Sequence, residues 1–225
     1  MDPHEYEPTP EKIMKLSKAQ YYITIGMPFE ENLTSKISQI NPDLKFVDSI
    51  KGINRTLMEE DGEMITDPHV WLSLKLDIKI SENICNALII ADPSHREYFE
   101  LNTKKLITKF KETNEQISAI LKPYKGRVFI VFHPAFGYFA RDYGLIQSPI
   151  EMEGKSPAPK QLVDVINNAR KDHVKVVFVE PQFDSTAAKA LAESIGAKVE
   201  TIDPAAENII SSMLDTANKL KTSFK

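Results

Sequence analysis

The chain is short of cysteine, glycine and long apolar runs, and each shortage removes a class of function. Cys85 is the only cysteine in 225 residues, which excludes an intrachain disulfide and a thiolate zinc cluster. Any transition-metal site must therefore be built from histidine and carboxylate. A single thiol is compatible with either redox compartment. Only eight glycines are present, and neither Gly-x-Gly-x-x-Gly nor a phosphate-binding loop follows any predicted strand, so a nucleotide-binding α/β enzyme lacks its features. No apolar run approaches the roughly 20 residues that a membrane-spanning helix needs. The opening Met1-Asp2-Pro3-His4 has neither a charged n-region nor an apolar h-region, so a signal segment is expected to be absent from this chain. A basic surplus is missing too. The net charge is -4, and Lys and Arg are interspersed with Asp and Glu, so no nucleic-acid partner is expected.

The remaining composition is that of a folded protein. Hydrophobic content of 42% and charged content of 27% exclude a disordered or collagen-like chain. The length allows one large domain or two small ones. Up to about residue 92 the pattern alternates between helix and strand. Thr9-Pro10-Glu11 is a helix start, Tyr21 to Ile25 a strand, Phe29 to Ile40 a helix and Leu44 to Val47 a strand, while the acid-rich residues 51 to 66 read as a loop. Leu72, Leu76, Ile80, Ile84 and Leu88 then mark one helix face. From about 94 to 122 neither Gly nor Pro occurs, which predicts a helix of about 40 Å, suited to a strut between two lobes. The second half predicts four strand-helix units, with strands at 128–132, 145–150, 174–179 and 198–202, hence a parallel, doubly wound sheet. Sites in such sheets lie at the carboxyl ends of the strands, where His133 and Asp203 fall.

Asp2-Pro3-His4 is followed by Tyr6 and Asp67-Pro68-His69 by Trp71, so one tripeptide with an aromatic two residues on occurs twice. His133-Pro134 and Asp203-Pro204 place proline beside two more potential ligands. Proline fixes its own φ and pushes the preceding residue toward extended geometry, and a preceding Asp is placed to accept the second ring N–H of an imidazole, the contact that metal-binding histidines usually have. Each histidine also has a plain reading as a capping or core residue, and the spacing of 4, 69, 133 and 203 matches no local zinc signature. His95 and His173 read as surface residues.

These motifs, with Gly26-Met27-Pro28-Phe29-Glu30, Asp92-Pro93, His133-Pro134-Ala135-Phe136-Gly137-Tyr138-Phe139, Gly154-Lys155-Ser156-Pro157, Glu180-Pro181-Gln182-Phe183 and Ile202-Asp203-Pro204 in this order, resemble the zinc and manganese solute-binding proteins of ABC importers. The resemblance implies two α/β lobes with parallel sheets flanked by helices, joined by a long rigid helix, with one metal in the cleft between them. Residues 1–93 would form the N-terminal lobe, 94–123 the connecting helix and 124–225 the C-terminal lobe. The family's first strand-helix-strand has no counterpart before Asp2, so the first lobe is expected to be incomplete at its N-terminus. By motif, His4 and His69 would be the first-lobe ligands, and His133 and Asp203 those of the second. The partner would be the membrane permease of an ABC importer, and the location the periplasm or outer face of the cell membrane. The chain would be a monomer, prone to self-association in this shortened form, and relatives of this kind also serve in cell adhesion.

Three imidazoles suit Zn2+ better than Mn2+, which leans toward oxygen ligands. Manganese is the alternative cargo, because residues 53–66 keep acids but lack the histidines found between the first two ligands in many zinc members. A rival from another class is a zinc-dependent hydrolase with three histidines and an activated water, for which Glu153 or Glu180 would serve as acid or base. A site with four protein ligands leaves no open position for that water, so no enzyme is expected. Glu153 and Glu180 each have the plainer reading of a solvated or strand-end carboxylate.

Overall fold

Thr9 and Pro10 start the first helix as their chemistry dictates. Thr9 is extended, its Oγ1 accepts the backbone N–H of Lys12, and Pro10 opens α1 (Pro10–Leu16) where a missing N–H costs nothing. Strand β1 (Tyr21–Thr24) pairs in parallel with β2 (Lys45–Asp48), and α2 (Pro28–Ile40) connects them. The turn into α2 needs Gly26, whose φ is +82° and where a Cβ would stand 2.5 Å from Ile50 Cδ1. Glu30 turns back over this loop and accepts the N–H groups of Ile25, Gly26 and Met27 at 3.0, 2.7 and 2.9 Å, setting an anion at the helix N-terminus. Burial, and behind it the Glu30 charge, pushes the Tyr22 hydroxyl up to about 12. A small core of Leu33, Ile37 and Leu44 holds these elements together.

A computed structural model describes residues 6–60, 63–151 and 159–225, and the chain divides into two compact units, Met1–Arg55 with Lys75–Phe110, and Thr56–Leu74 with Lys111–Lys225. After β2 the first unit is completed by most of α3 (Leu74–Ala91) and the first part of α4 (Arg96–Leu121). At 26 residues α4 is about 39 Å long, the expected strut, and its chain passes from the first unit to the second after Phe110. Among the described residues no helix is long and apolar enough to cross a membrane.

One buried group in the first unit gives a pH-dependent expectation. Asp77, on α3, is 6% exposed, its Oδ2 has no hydrogen-bond partner, and burial pushes its carboxyl up to about 8. The folded chain therefore holds a proton that the unfolded chain releases near pH ~3.9. Stability contributed below that value is lost as pH rises toward about 8. Asp77→Asn should be more stable than the parent by a few kcal/mol at pH 8 and about equal at pH ~4, read by urea denaturation at the two values. Equal stabilities at both would show that the carboxyl is solvated.

The second unit begins with a departure from the sequence reading. Residues 51 to 66 are not all loop: β3 (Leu57–Glu60) and β4 (Glu63–Thr66) pair antiparallel, with Leu57 opposite Thr66 and Glu60 opposite Glu63. Three glutamates, Glu59, Glu60 and Glu63, hid the alternation, although Asp61-Gly62 is a dipeptide favoured between hairpin strands. The segment from 56 to 74, assigned by sequence to the N-terminal lobe, groups with the C-terminal half. Tyr138 ties it there, its hydroxyl accepting from Thr56 N at 3.1 Å and donating to Asp67 O at 2.9 Å. His69 consequently shares a unit with His133 and Asp203.

The main sheet has the order β6-β5-β7-β8, all parallel, from β5 (Val128–Val131), β6 (Ile146–Pro149), β7 (Val176–Val179) and β8 (Lys198–Thr201). Its helices are α5 (Gly137–Tyr143), α6 (Pro159–Lys171), α7 (Thr186–Ile195) and α8 (Ile209–Ser223). The central strands, Val-Phe-Ile-Val and Val-Val-Phe-Val, are buried almost throughout, whereas the edge strands mix polar and apolar residues. Gly144 and Gly196 close α5 and α7 in the left-handed region, at φ of 71° and 70°. From β5 the chain steps outward to β6, then crosses to β7 on the other side, so the switch point lies at β5.

Candidate metal site

Each strand of the main sheet delivers one chemically active residue at its carboxyl end. His133 lies two residues past β5, Glu151 two past β6, Glu180 directly after β7 and Asp203 two past β8. His69 joins them from the Asp67-Pro68-His69 turn after β4.

Asp67 orients His69. Its Oδ1 accepts the His69 backbone N–H at 2.9 Å and lies 2.8 Å from Nδ1, and both residues are buried. The motif geometry anticipated from sequence is thus realised at the second Asp-Pro-His. The contact assigns the ring proton to Nδ1 and leaves Nε2 with a lone pair. Burial lowers the pKa of His69, with Asp67 opposing, so the neutral ring that a metal requires is favoured. Gly137 allows the approach, since a Cβ there would stand 3.0 Å from Asp67 Oδ2.

His133 is oriented by a residue far away in sequence. Its Nδ1 lies 3.2 Å from both oxygens of Glu151, and its backbone N–H donates to Glu180 Oε2 at 3.2 Å. Phe183 stacks on its ring, with centroids 4.6 Å apart and planes 18° from parallel. The two Nε2 atoms, of His69 and His133, face each other at 3.2 Å. With the ring protons on Nδ1, at the carboxylates, two Nε2 lone pairs face one another. Two tetrahedral Zn–N bonds of ~2.0–2.1 Å would set their nitrogens about 3.3 Å apart.

Asp67, Glu151 and Glu180 are all buried, and among the described residues their hydrogen-bond and ion-pair partners are histidine or backbone N–H. Glu180 is 1% exposed and its Oε1 lacks a partner; burial pushes its carboxyl up to about 8, so it is mostly protonated at neutral pH. It is a strand-end carboxyl, as one sequence reading had it, but it is not solvated.

Two bridges link the turn of Asp203 to neighbours of the histidine pair. Trp71, edge-on to His69 with centroids 5.4 Å apart, donates Nε1–H to Pro204 O at 2.8 Å. Gln182, two residues past Glu180, donates its side-chain amide to Asp203 Oδ1 at 2.8 Å. Among the described residues no three His, Cys, Asp or Glu side chains converge closely enough to hold an ion. His4 and Glu153 lie outside the described residues. His95 and His173 are exposed, His95 held by Asp92 at 2.6 Å and His173 in a left-handed turn at φ 52°. Sequence reasoning missed Glu151, Gln182 and Phe183 as partners of the site. Gln182 and Phe183 stood in the Glu180-Pro181-Gln182-Phe183 motif without a role, and Glu151 was marked only by its position just past a strand end.

The fold is that of an α/β protein that carries two buried, facing imidazoles at the carboxyl ends of its strands. A family model described as zinc-uptake complex component A, periplasmic, matches residues 1–223, and the chain belongs to that family. The high-affinity zinc uptake system protein ZnuA of Bacillus subtilis is 32% identical over 219 residues, covering 90% of this chain and 68% of that protein. The zinc-binding protein AdcA of Streptococcus pyogenes is 29% identical over 90% of this chain, which spans only 44% of AdcA. A solved ZnuA crystal structure superposes with a TM-score of 0.95 at 38% identity, covering 100% of this chain and 87% of that one. The family is one of metal-binding transport components and not of enzymes.

Proposed function

We propose that this chain is an extracytoplasmic solute-binding protein that captures Zn2+ with high affinity and delivers it to the membrane permease of an ABC importer. The observation that carries the reading is the histidine pair: two buried imidazoles, each with Nδ1 at a carboxylate, present Nε2 atoms 3.2 Å apart. That is the ligand chemistry and spacing of two corners of a zinc tetrahedron. His133 and His69 supply these corners, Asp203 a third donor and His4, by its motif, the fourth. Four protein donors close the coordination sphere, which suits capture and release and leaves no place for an activated water. Names carried by the relatives, zinc uptake and zinc binding, agree with this cargo.

Elemental analysis of protein purified without added metal tests the reading. Roughly one zinc per chain, with manganese at trace level, is the expected result. Manganese in place of zinc would make the chain a manganese carrier. No transition metal in folded protein, before and after incubation with zinc, would end the proposal.

A further inference from the structure

We propose that Gln182 restricts Asp203 to a single metal-facing oxygen and thereby favours a small four-coordinate cation over a larger one; the inference rests on the reading of Asp203 as a ligand. A carboxylate oxygen offers two lone pairs. Asp203 Oδ1 uses both, accepting from Gln182 Nε2 at 2.8 Å and from the backbone N–H of Ala205 at 3.0 Å. Oδ2 is then the one oxygen left to face a metal. Zn2+, satisfied by four short bonds, loses nothing when a carboxylate gives one oxygen. Mn2+ and Ca2+ seek more oxygen donors and gain from a carboxylate that gives two.

The two donors to Oδ1 differ in origin. The Ala205 N–H belongs to the turn of Asp203 itself and comes with almost any sequence. Gln182 reaches in from the end of β7, the strand between those that carry His133 and Asp203. The four residues Glu180-Pro181-Gln182-Phe183 touch both ligands: Glu180 takes the His133 backbone N–H, Phe183 stacks on the His133 ring and Gln182 holds the Asp203 carboxylate. One short, proline-stiffened segment therefore fixes two donors relative to each other, and Gln182 alone among its side chains controls how many oxygens Asp203 can give.

The test compares Gln182→Met, similar in length but without a donor, and Gln182→Glu, which keeps size and polarity but cannot donate when ionised, with Asp203→Ala. Each protein is stripped of metal, its melting transition is recorded, and zinc and manganese affinities are measured by chelator competition. Cobalt is then bound as a spectroscopic probe, because four-coordinate Co2+ absorbs visible light far more strongly than five- or six-coordinate Co2+. The zinc-over-manganese preference should fall roughly tenfold or more in the Gln182 variants, the scale on which outer partners of ligands act. Their cobalt bands should weaken toward higher coordination. An unchanged preference and cobalt spectrum in whichever Gln182 variant folds, with Asp203→Ala weakening zinc, would overturn the role of Gln182 and leave Asp203 a ligand. Unchanged zinc affinity in Asp203→Ala would remove Asp203 from the site, and the inference with it.

Discussion

Alanine in place of His133 should weaken zinc binding more than about 100-fold, and His69→Ala should do the same, while His95→Ala and His173→Ala keep the parent affinity. Loss of an outer partner of a metal ligand costs ~10–100-fold, and loss of the ligand itself must exceed that. The two rings are buried with their Nε2 atoms facing each other, so removing either takes away one of the four proposed donors. The exposed rings behave otherwise. His95 is bound to Asp92 at the entrance to α4 and His173 lies on a surface turn, so neither is directed at the pair. Competition with a chromophoric chelator gives all four affinities in one experiment. Should His95→Ala weaken zinc as much as His133→Ala, the ligand assignment would be wrong.

Saturating zinc should raise the melting temperature on the order of 10 °C. Binding to the native state alone stabilises it by RT ln(1 + [L]/Kd), about 4 kcal/mol when free zinc is a thousandfold above Kd. For a chain of this size each kcal/mol moves the midpoint by roughly 2–4 °C. Both rings and the carboxylates behind them belong to the second unit, so if the two units melt separately its transition carries the shift. The His133→Ala protein should show almost none of it. Differential scanning calorimetry of metal-free protein with and without zinc reads the effect, and a midpoint unmoved by zinc in the parent protein would contradict a preformed site.

Much of this arrangement was legible in the residues, for physical reasons that differ from place to place. The four strands of the main sheet were readable because central strands buried on both faces must be apolar without interruption, as Val128 to Val131 and Val176 to Val179 are. The long helix was readable because nothing from 96 to 121 breaks it. His69 and its acceptor were readable together because Asp67 is two residues away and an Asx turn is local. Glu151 was not. It reaches His133 only because β5 and β6 are neighbours in register, and that pairing is a property of the sheet and not of any short window. Gln182 and Phe183 escaped for the same reason, since an amide and a phenyl ring gain their roles from the adjacent strand ends. The hairpin at 57–66 was obscured by glutamates in its strands, where charge outweighed alternation.

The most direct test of the central claim is a calorimetric titration of zinc into folded, metal-free protein at neutral pH. A single saturable event with one zinc per chain, abolished in His69→Ala and His133→Ala, is the result that the paired imidazoles predict. Absence of any saturable zinc binding, in a protein whose circular dichroism and melting show it to be folded, would contradict it.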